Sequence, residues 1–380
     1  AVLKEVITHQ LAQQKQIVVL ASGDPLFYGI GRWFGKQFLP SQLRFYPAVS
    51  SLQVACHRLG LSLQDVEVLS LHGRPIEKLK TRLRQNQPLL ILTDAKSNPQ
   101  SIAQCCLESG FTQAKLTVLE TLGYPQEKIR SFSVSELGQE ADQDTEFDPL
   151  HVTLLAPGVN LGYLPEFPGI PDEHFVTDSA HAGKGMITKR EVRLSILSLM
   201  QLSHGDTVWD IGAGCGGVAV ELAYWQPKAH LVAIEHHPER LACLRANQMR
   251  FGVTANLSVI EGRAPEALAQ ISADCAKPNK VFIGGSDGEL PALLNHVWRL
   301  LPHNGVLVAS AVTENTKQLL MQFWQQRAAQ QDSQCETLQV AVSRGETLAG
   351  QLMYRPNLPV SLFKFTKAEV FPVIEKGAAL

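Results

Sequence analysis

Short apolar runs alternate with longer amphipathic segments along nearly the whole chain. Runs at 17–21, 66–71, 89–93, 115–120 and 151–156 have the length of buried strands, and 43–47 and 131–134 read as shorter ones. Residues 3–14, 26–38, 51–59 and 101–109 read as helices, the third with Ser51 as its cap. The pattern resumes with strands at 207–211, 230–234, 257–261, 280–283 and 305–311 and helices at 188–202, 218–225, 290–301 and 316–330, and closes on strands at 339–343 and 360–365. Thr188 and Glu191 have the spacing of a capping box. The alternation predicts an α/β fold on both sides of 157–171, a stretch with four prolines and three glycines that reads as a linker. Domains are therefore expected over 1–156 and 172–380, with a polar, acidic, exposed loop at 139–148.

The second series contains the most informative stretch, D-T-V-W-D-I-G-A-G-C-G-G from Asp206. A buried strand runs into Gly212, Gly214, Gly216 and Gly217, a helix follows, and the next strand ends on Glu235. Glycines let the backbone pass close to a ligand, a helix start offers unpaired N–H groups, and an acid closing the second strand can take the hydroxyls of a ribose. The spacing satisfies G-x-G-x-x-G, the dinucleotide signature, and also D-x-G-x-G-x-G, the signature of class I methyltransferases that bind S-adenosylmethionine (SAM). Asp210 favours the second, because a carboxylate there can hold the cationic methionine end of SAM and would repel a pyrophosphate.

Composition narrows the alternatives. The chain has 380 residues, 45% of them hydrophobic, with a net charge of −2, so nucleic acid is not expected as a partner. Seven cysteines are scattered without a C-x-x-C pair, which points to a reducing, cytoplasmic setting and away from a metal site. No apolar run reaches membrane-spanning length. A homo-oligomer is expected.

Motifs in the first half run in a set order: L-A-S-G-D-P-L-F-Y-G-I-G at 20–31, P-A-V-S-S-L-Q at 47–53, S-L-H-G-R at 70–74 and T-D at 93–94. In this order they resemble the tetrapyrrole methylase family, which binds SAM between two α/β subdomains. The second half carries P-G-I-P-D-E-H-F at 168–175, I-T-K-R-E-V-R at 187–193, W-D-I-G-A-G at 209–214, E-G-R-A-P-E-A-L at 261–268 and F-I-G-G-S at 282–286. It is similar to the partner enzyme of cobalamin synthesis, and the fusion resembles the bifunctional, decarboxylating precorrin methyltransferases over nearly all of the chain. The resemblance implies a tetrapyrrole methylase-like α/β domain followed by a Rossmann-like class I methyltransferase domain with a mostly parallel sheet. That family's first domain opens with a strand and glycine-rich loop that have no counterpart after Ala1, so an N-terminally incomplete first domain is expected.

The resemblance further implies SAM as cofactor, a precorrin substrate, methylation at two meso carbons and loss of carbon dioxide from an acetate arm. It places Thr188, Gly212, Ala213, Gly214, Cys215, Gly216, Glu235, Arg263 and Ala264 at the second domain's cofactor, with Glu235 on the ribose and the Ala264 amide by the adenine. Gly284 and Gly285 fall where the transferred methyl should be. Gly23 and Asp24, then Ser50 and Ser51, are the candidates in the first domain. For the substrate's carboxylates, Lys189, Arg190 and Arg193 cluster at one helix start and Arg74 stands in the first half; a guanidinium suits a carboxylate bidentately. His72, His236 and His237 are read as surface or core residues. An NAD-dependent oxidoreductase, a methyltransferase acting on RNA or protein, and a non-catalytic corrin carrier are the rival classes.

Overall fold

The protein is described by a computed structural model covering residues 2–138, 145–271 and 277–368. Backbone contacts divide it into two compact units, Ala1–Gly162 and Tyr163–Leu380. The acidic loop expected at 139–148 falls largely outside the described residues.

The first unit contains α1 (Val2–Ala12), α2 (Gly31–Gln37), α3 (Ser51–Leu59), β1 (Glu67–Ser70), β2 (Leu89–Leu92), α4 (Pro99–Glu108), β3 (Lys115–Glu120), β4 (Lys128–Ser133), α5 (Val134–Gly138) and β5 (His151–Ala156). Its sheet has the order β1-β2-β5-β3-β4, in which only β1 and β2 run parallel. Leu52, Ala55 and Cys56 on α3 pack over Leu90, Leu119 and Val152 of the sheet. Two expected strands do not form. Residues 17–21 and 43–47 are irregular, with Val18 and Leu20 79% and 93% exposed. An apolar run becomes a strand only where a neighbour takes up its backbone groups, and among the described residues no strand pairs with either segment. The helix expected over 26–38 shortens to α2, because the Asp24 carboxylate accepts from the amides of Leu26 and Phe27 and holds that stretch as a turn. Ser50, not Ser51, caps α3: Gln53 N donates to Ser50 Oγ (3.3 Å) while Ser50 N donates to Gln53 Oε1 (2.9 Å).

The second unit contains α6 (Arg190–Met200), β6 (Thr207–Ile211), α7 (Gly217–Trp225), β7 (His230–Glu235), α8 (Pro238–Arg250), β8 (Leu257–Glu261), β9 (Lys280–Ile283), α9 (Leu290–Leu300), β10 (Val306–Ala311), α10 (Glu314–Gln330), β11 (Ser333–Val340), β12 (Ser343–Leu348), β13 (Gln351–Pro356) and β14 (Val360–Lys367). The seven-stranded sheet has the order β11-β14-β10-β9-β6-β7-β8. Its five strands from β8 to β10 are parallel, and β14 is antiparallel to both its neighbours. Successive side chains of a strand face opposite sides. Val208, Leu231 and Ala233 accordingly join the core under α6, α7 and α8, and Trp209, Ile211, Val232 and Ile234 join the one under α9 and α10. Both faces are covered, which is why these strands read as unbroken apolar runs.

Three features depart from the pattern read in the sequence. α8 was not anticipated, although Leu241 and Leu244 stand three apart on its buried side behind Pro238. β11 begins earlier than the expected 339, because its pairing with β14 starts at Ser333 opposite Lys367. β12 and β13 form a hairpin whose residues are all exposed, so no alternation marks them. Among the described residues no helix is long and apolar enough to cross a membrane.

Candidate cofactor site at the strand switch point

From β6 the chain builds outward through β7 and β8, then returns to the other side of β6 with β9. Ligands of open α/β sheets sit outside the carboxyl ends of the strands where the order reverses, here the ends of β6 and β9. The loops after these strands meet through two glycines. A Cβ on Gly212 would lie 2.5 Å from the Gly285 carbonyl oxygen and 2.7 Å from its nitrogen, so only glycine permits the contact. Gly212 also has φ 70°, in the region that favours glycine. The Gly212 and Ala213 amides donate to the Ile234 carbonyl at 3.0 and 3.1 Å, which ties the loop to the end of β7.

Glu235 completes that tie. Its Oε2 accepts from Gly214 N (2.8 Å), and its Oε1 accepts from His236 N (2.9 Å) and His237 N (2.8 Å). The residue is 4% exposed and lines the cavity. Two carboxylate oxygens offer about four acceptor positions, so three amides leave one for a ligand hydroxyl. The acid is thus buried and organises the glycine loop while facing the cavity.

The cavity measures about 350 Å³. Thr188, Lys189, Gly212, Ala213, Gly214, Glu235, Arg263, Ala264, Gly284 and Gly285 all line it. Met186, Ile187, Leu293, Val312 and Val360 add an apolar wall. His236, Arg240 and Asp287 line it too and were missed as site residues. His236 and Asp287 directly follow β7 and the β9 loop, positions that the strand-end rule marks. Arg240 is on α8 and carried no signal. His236 Nε2 lies 3.3 Å from Asp287 Oδ2, and Arg263 Nη2 donates to the Asp287 carbonyl at 2.8 Å, so the loops after β7, β8 and β9 are joined over the crevice.

Five assigned residues lie elsewhere. Asp210 is 1% exposed and does not line the cavity; β6 alternation turns it to the side of Val208, beneath α7. Neither of its carboxylate oxygens makes a hydrogen bond of good geometry, the nearby Ala219 amide included. Burial, with a smaller push from Glu235 and an opposing pull from the Ala219 amide, raises its pKa to about 7. Cys215 is fully buried, and Gly216 packs against Leu244, which a Cβ would approach to 2.2 Å. Arg190 points outward to Glu191 at 3.2 Å.

Arg193 is the clearest correction. It is wholly buried, where a substrate carboxylate cannot reach it. Its guanidinium donates to Glu221 (2.5 Å), Asp172 (3.0 Å), the Thr188 carbonyl (2.5 Å) and the Ile170 carbonyl, and lies over the Phe175 ring. Glu221 in turn accepts from the amides of Gly169 and Ile170. The capping box expected from Thr188 is absent: Lys189 is the N-cap residue and no side chain caps α6. Thr188 lies one residue further out, its carbonyl held by Arg193 and its side chain available at the cavity. Burial lowers the Lys189 pKa, and Asp172 opposes that shift.

In the first unit, Gly23, Asp24, Ser50, Ser51, His72 and Arg74 line a separate cavity of about 960 Å³. Asp24 is committed to backbone amides, including Ala48 N at 3.3 Å. Arg74 donates to the Ser70 carbonyl at 3.0 Å. His151 Nδ1 donates to the Asp148 carbonyl at 2.6 Å, which can only accept, and Nε2 lies 2.8 Å from Thr93 Oγ1.

The doubly wound sheet, the glycine loop and a strand-end acid facing one cavity define a nucleoside-binding domain of the class I methyltransferase type. Comparison with known proteins agrees. A family model described as a precorrin methyltransferase domain matches residues 179–367, and one described as tetrapyrrole (corrin/porphyrin) methylases matches residues 2–138. A precorrin-6Y C(5,15)-methyltransferase (decarboxylating) from Sinorhizobium sp is 33% identical over 92% of this chain and 80% of its own length. One of the same description from Mycobacterium tuberculosis (strain CDC 1551 / Oshkosh) is 32% identical over 92% of this chain and 82% of its own. The crystal structure of precorrin-6y C5,15-methyltransferase from Geobacter metallireducens GS-15 shares 33% identity, covering 52% of this chain and 98% of that one, with a TM-score of 0.46. The chain belongs to the precorrin-6Y C(5,15)-methyltransferase (decarboxylating) family. It is a C-methyltransferase.

Proposed function

We propose that this chain methylates two meso carbons of precorrin-6Y, or of its cobalt-bearing counterpart, and removes carbon dioxide from an acetate arm during corrin synthesis. The observation that carries the reading is the second unit's cavity, which joins Glu235, the touching glycines Gly212 and Gly285, and a cationic rim of Lys189, Arg240 and Arg263. Bound SAM supplies a methyl group activated by its sulfonium. The chain's part is to orient and to exclude water. Glu235 offers its remaining acceptor position to a ribose hydroxyl. The glycines keep side chains out of the space where methyl and carbon approach. Met186, Ile187, Val312 and Val360 form an apolar wall, and the cationic rim receives substrate carboxylates. The conjugated macrocycle takes the electron pair left by the departing carbon dioxide. In the first unit, Gly23, Asp24, Ser50, Ser51 and Arg74 are proposed to serve the other methylation.

Replacing Glu235 by Gln tests the assignment while preserving shape. The variant is expected to bind S-adenosylhomocysteine more weakly by about 1–3 kcal/mol, the worth of hydrogen bonds to a charged acceptor. Calorimetric titration reads the change. A folded Glu235→Gln protein with unaltered affinity would remove Glu235 from the cofactor site.

A further inference from the structure

Asp178 belongs to none of the motifs, yet it joins three parts of the cofactor cavity. Residues 185–189 form one wall of that cavity. The Asp178 side chain is 11% exposed. Its Oδ1 accepts from Met186 N (2.7 Å) and from the Cys215 thiol (3.7 Å), and its Oδ2 accepts from Arg240 Nε (3.2 Å). One carboxylate thus ties the wall to the glycine loop and to α8. The Met186 carbonyl continues the seam: it accepts from Cys215 N at 3.1 Å and would stand 2.6 Å from a Cβ on Gly214. Gly185, at φ 86°, passes so close that its own Cβ would meet Asp178 Oδ1.

The neighbouring turn of α8 adds a second clamp. Asn247 is fully buried, accepts from Val176 N (2.8 Å), and donates to the carbonyls of Val176 (2.8 Å) and Cys215 (2.9 Å). The entrance of the segment is therefore anchored by Asn247 and its midpoint by Asp178. The amide of Met186, above all, holds the Asp178 carboxyl below the usual range, so it stays ionised at neutral pH. Arg240 also lines the cavity, and its pairing fixes where that guanidinium points.

We propose that Asp178 is a positioning residue for the SAM site: it docks the 185–189 wall onto the glycine loop and orients Arg240, without itself touching the cofactor. The proposal rests on the reading of this cavity as the SAM site. Without the carboxylate, Met186, Ile187 and Thr188 lose their fixed place, and Cys215, now covered by the seam, becomes accessible.

Asp178→Ala and Asp178→Asn in the full chain test it by calorimetry with S-adenosylhomocysteine and by alkylation of Cys215 followed by peptide mapping. For Asp178→Ala the dissociation constant is expected to rise about tenfold or more, the size of one lost charge-assisted hydrogen bond. Asp178→Asn, which keeps an acceptor for Met186 N, should recover part of that loss. Cys215 alkylation should accelerate in Asp178→Ala, and in the unmodified protein bound S-adenosylhomocysteine should slow it. In turnover the KM for SAM should rise most and that for precorrin-6Y less, through the freed Arg240, with kcat nearly kept; a merely structural role would lower kcat and leave both KM values alike. Unchanged affinity in a folded Asp178→Ala protein overturns the proposal. Should that variant not fold, Cys215 alkylation indifferent to S-adenosylhomocysteine in the unmodified protein overturns it equally. Failure of the unmodified protein to bind S-adenosylhomocysteine would overturn the cofactor reading itself, and this proposal with it.

Discussion

Arg193→Leu is expected to destabilise the second unit by about 3–5 kcal/mol, because breaking a buried ion pair leaves a charge without compensation. Arg193 and Glu221 are both fully buried, and Asp172 is 4% exposed. Removing the guanidinium leaves Glu221 without a cation and Asp172 with only Arg344, at 3.6 Å, and frees the carbonyls of Ile170 and Thr188 at once. In a unit of this size the loss corresponds to a fall of about 10 °C in its calorimetric transition. Adding Glu221→Gln should restore part of it, since the amide oxygen still accepts from Gly169 and Ile170 while one unpaired charge disappears. A small effect for Arg193→Leu would contradict the assignment of this arginine to the core. It would reopen the idea, suggested by the Lys189-Arg190-Arg193 cluster, that it meets substrate.

The second large effect belongs to Asp210 and depends on pH. The folded protein holds the Asp210 proton up to about pH 7, whereas an unfolded aspartate releases it near the ordinary 3.8. Between these values the folded state binds more protons, so stability falls as pH rises through the window and levels off above it. The ionised form costs on the order of 4 kcal/mol at pH 8 by this linkage. An Asp210→Asn side chain avoids that cost but buries an amide without a partner, at about 1–3 kcal/mol. The cofactor-free variant is therefore expected to be more stable than the parent at pH 8 by about 2 kcal/mol, the difference between the two terms. The advantage should disappear at pH 5, where the linkage cost has fallen to about 1.6 kcal/mol, no more than the cost of the buried amide. Denaturant melts of the second unit at the two pH values measure it. A variant less stable at pH 8 would mean that a partner holds the Asp210 carboxylate in solution.

How far the sequence reached depends on which force fixed each residue. The parallel strands were legible because burial on both faces leaves an apolar run, as at 207–211 and 230–234. That Glu235 and the loop glycines after β6 would meet was legible because a strand–loop–helix unit constrains neighbours in sequence. Arg193 was misread because its partners, Asp172 and Glu221, lie 21 and 28 positions away. A hint was present, since it shares the buried face of α6 with Ile196 and Met200. Asp210 was misread for a related reason: its motif position suggested a ligand contact, but strand alternation sets its direction and turns it under α7. In the first unit, the runs at 17–21 and 43–47 have strand character without a strand partner among the described residues, and pairing is not a local property. Asp178 had no signal at all, because its three contacts converge only after α8 and the glycine loop have folded together.

Mass spectrometry of the products of precorrin-6Y incubated with SAM and this protein reads both reactions at once. The expected product has gained two methyl groups and lost carbon dioxide, with S-adenosylhomocysteine formed in step with the methyl groups. A product that has gained no methyl group, or methylation with the acetate carboxyl retained throughout, would contradict the proposed function.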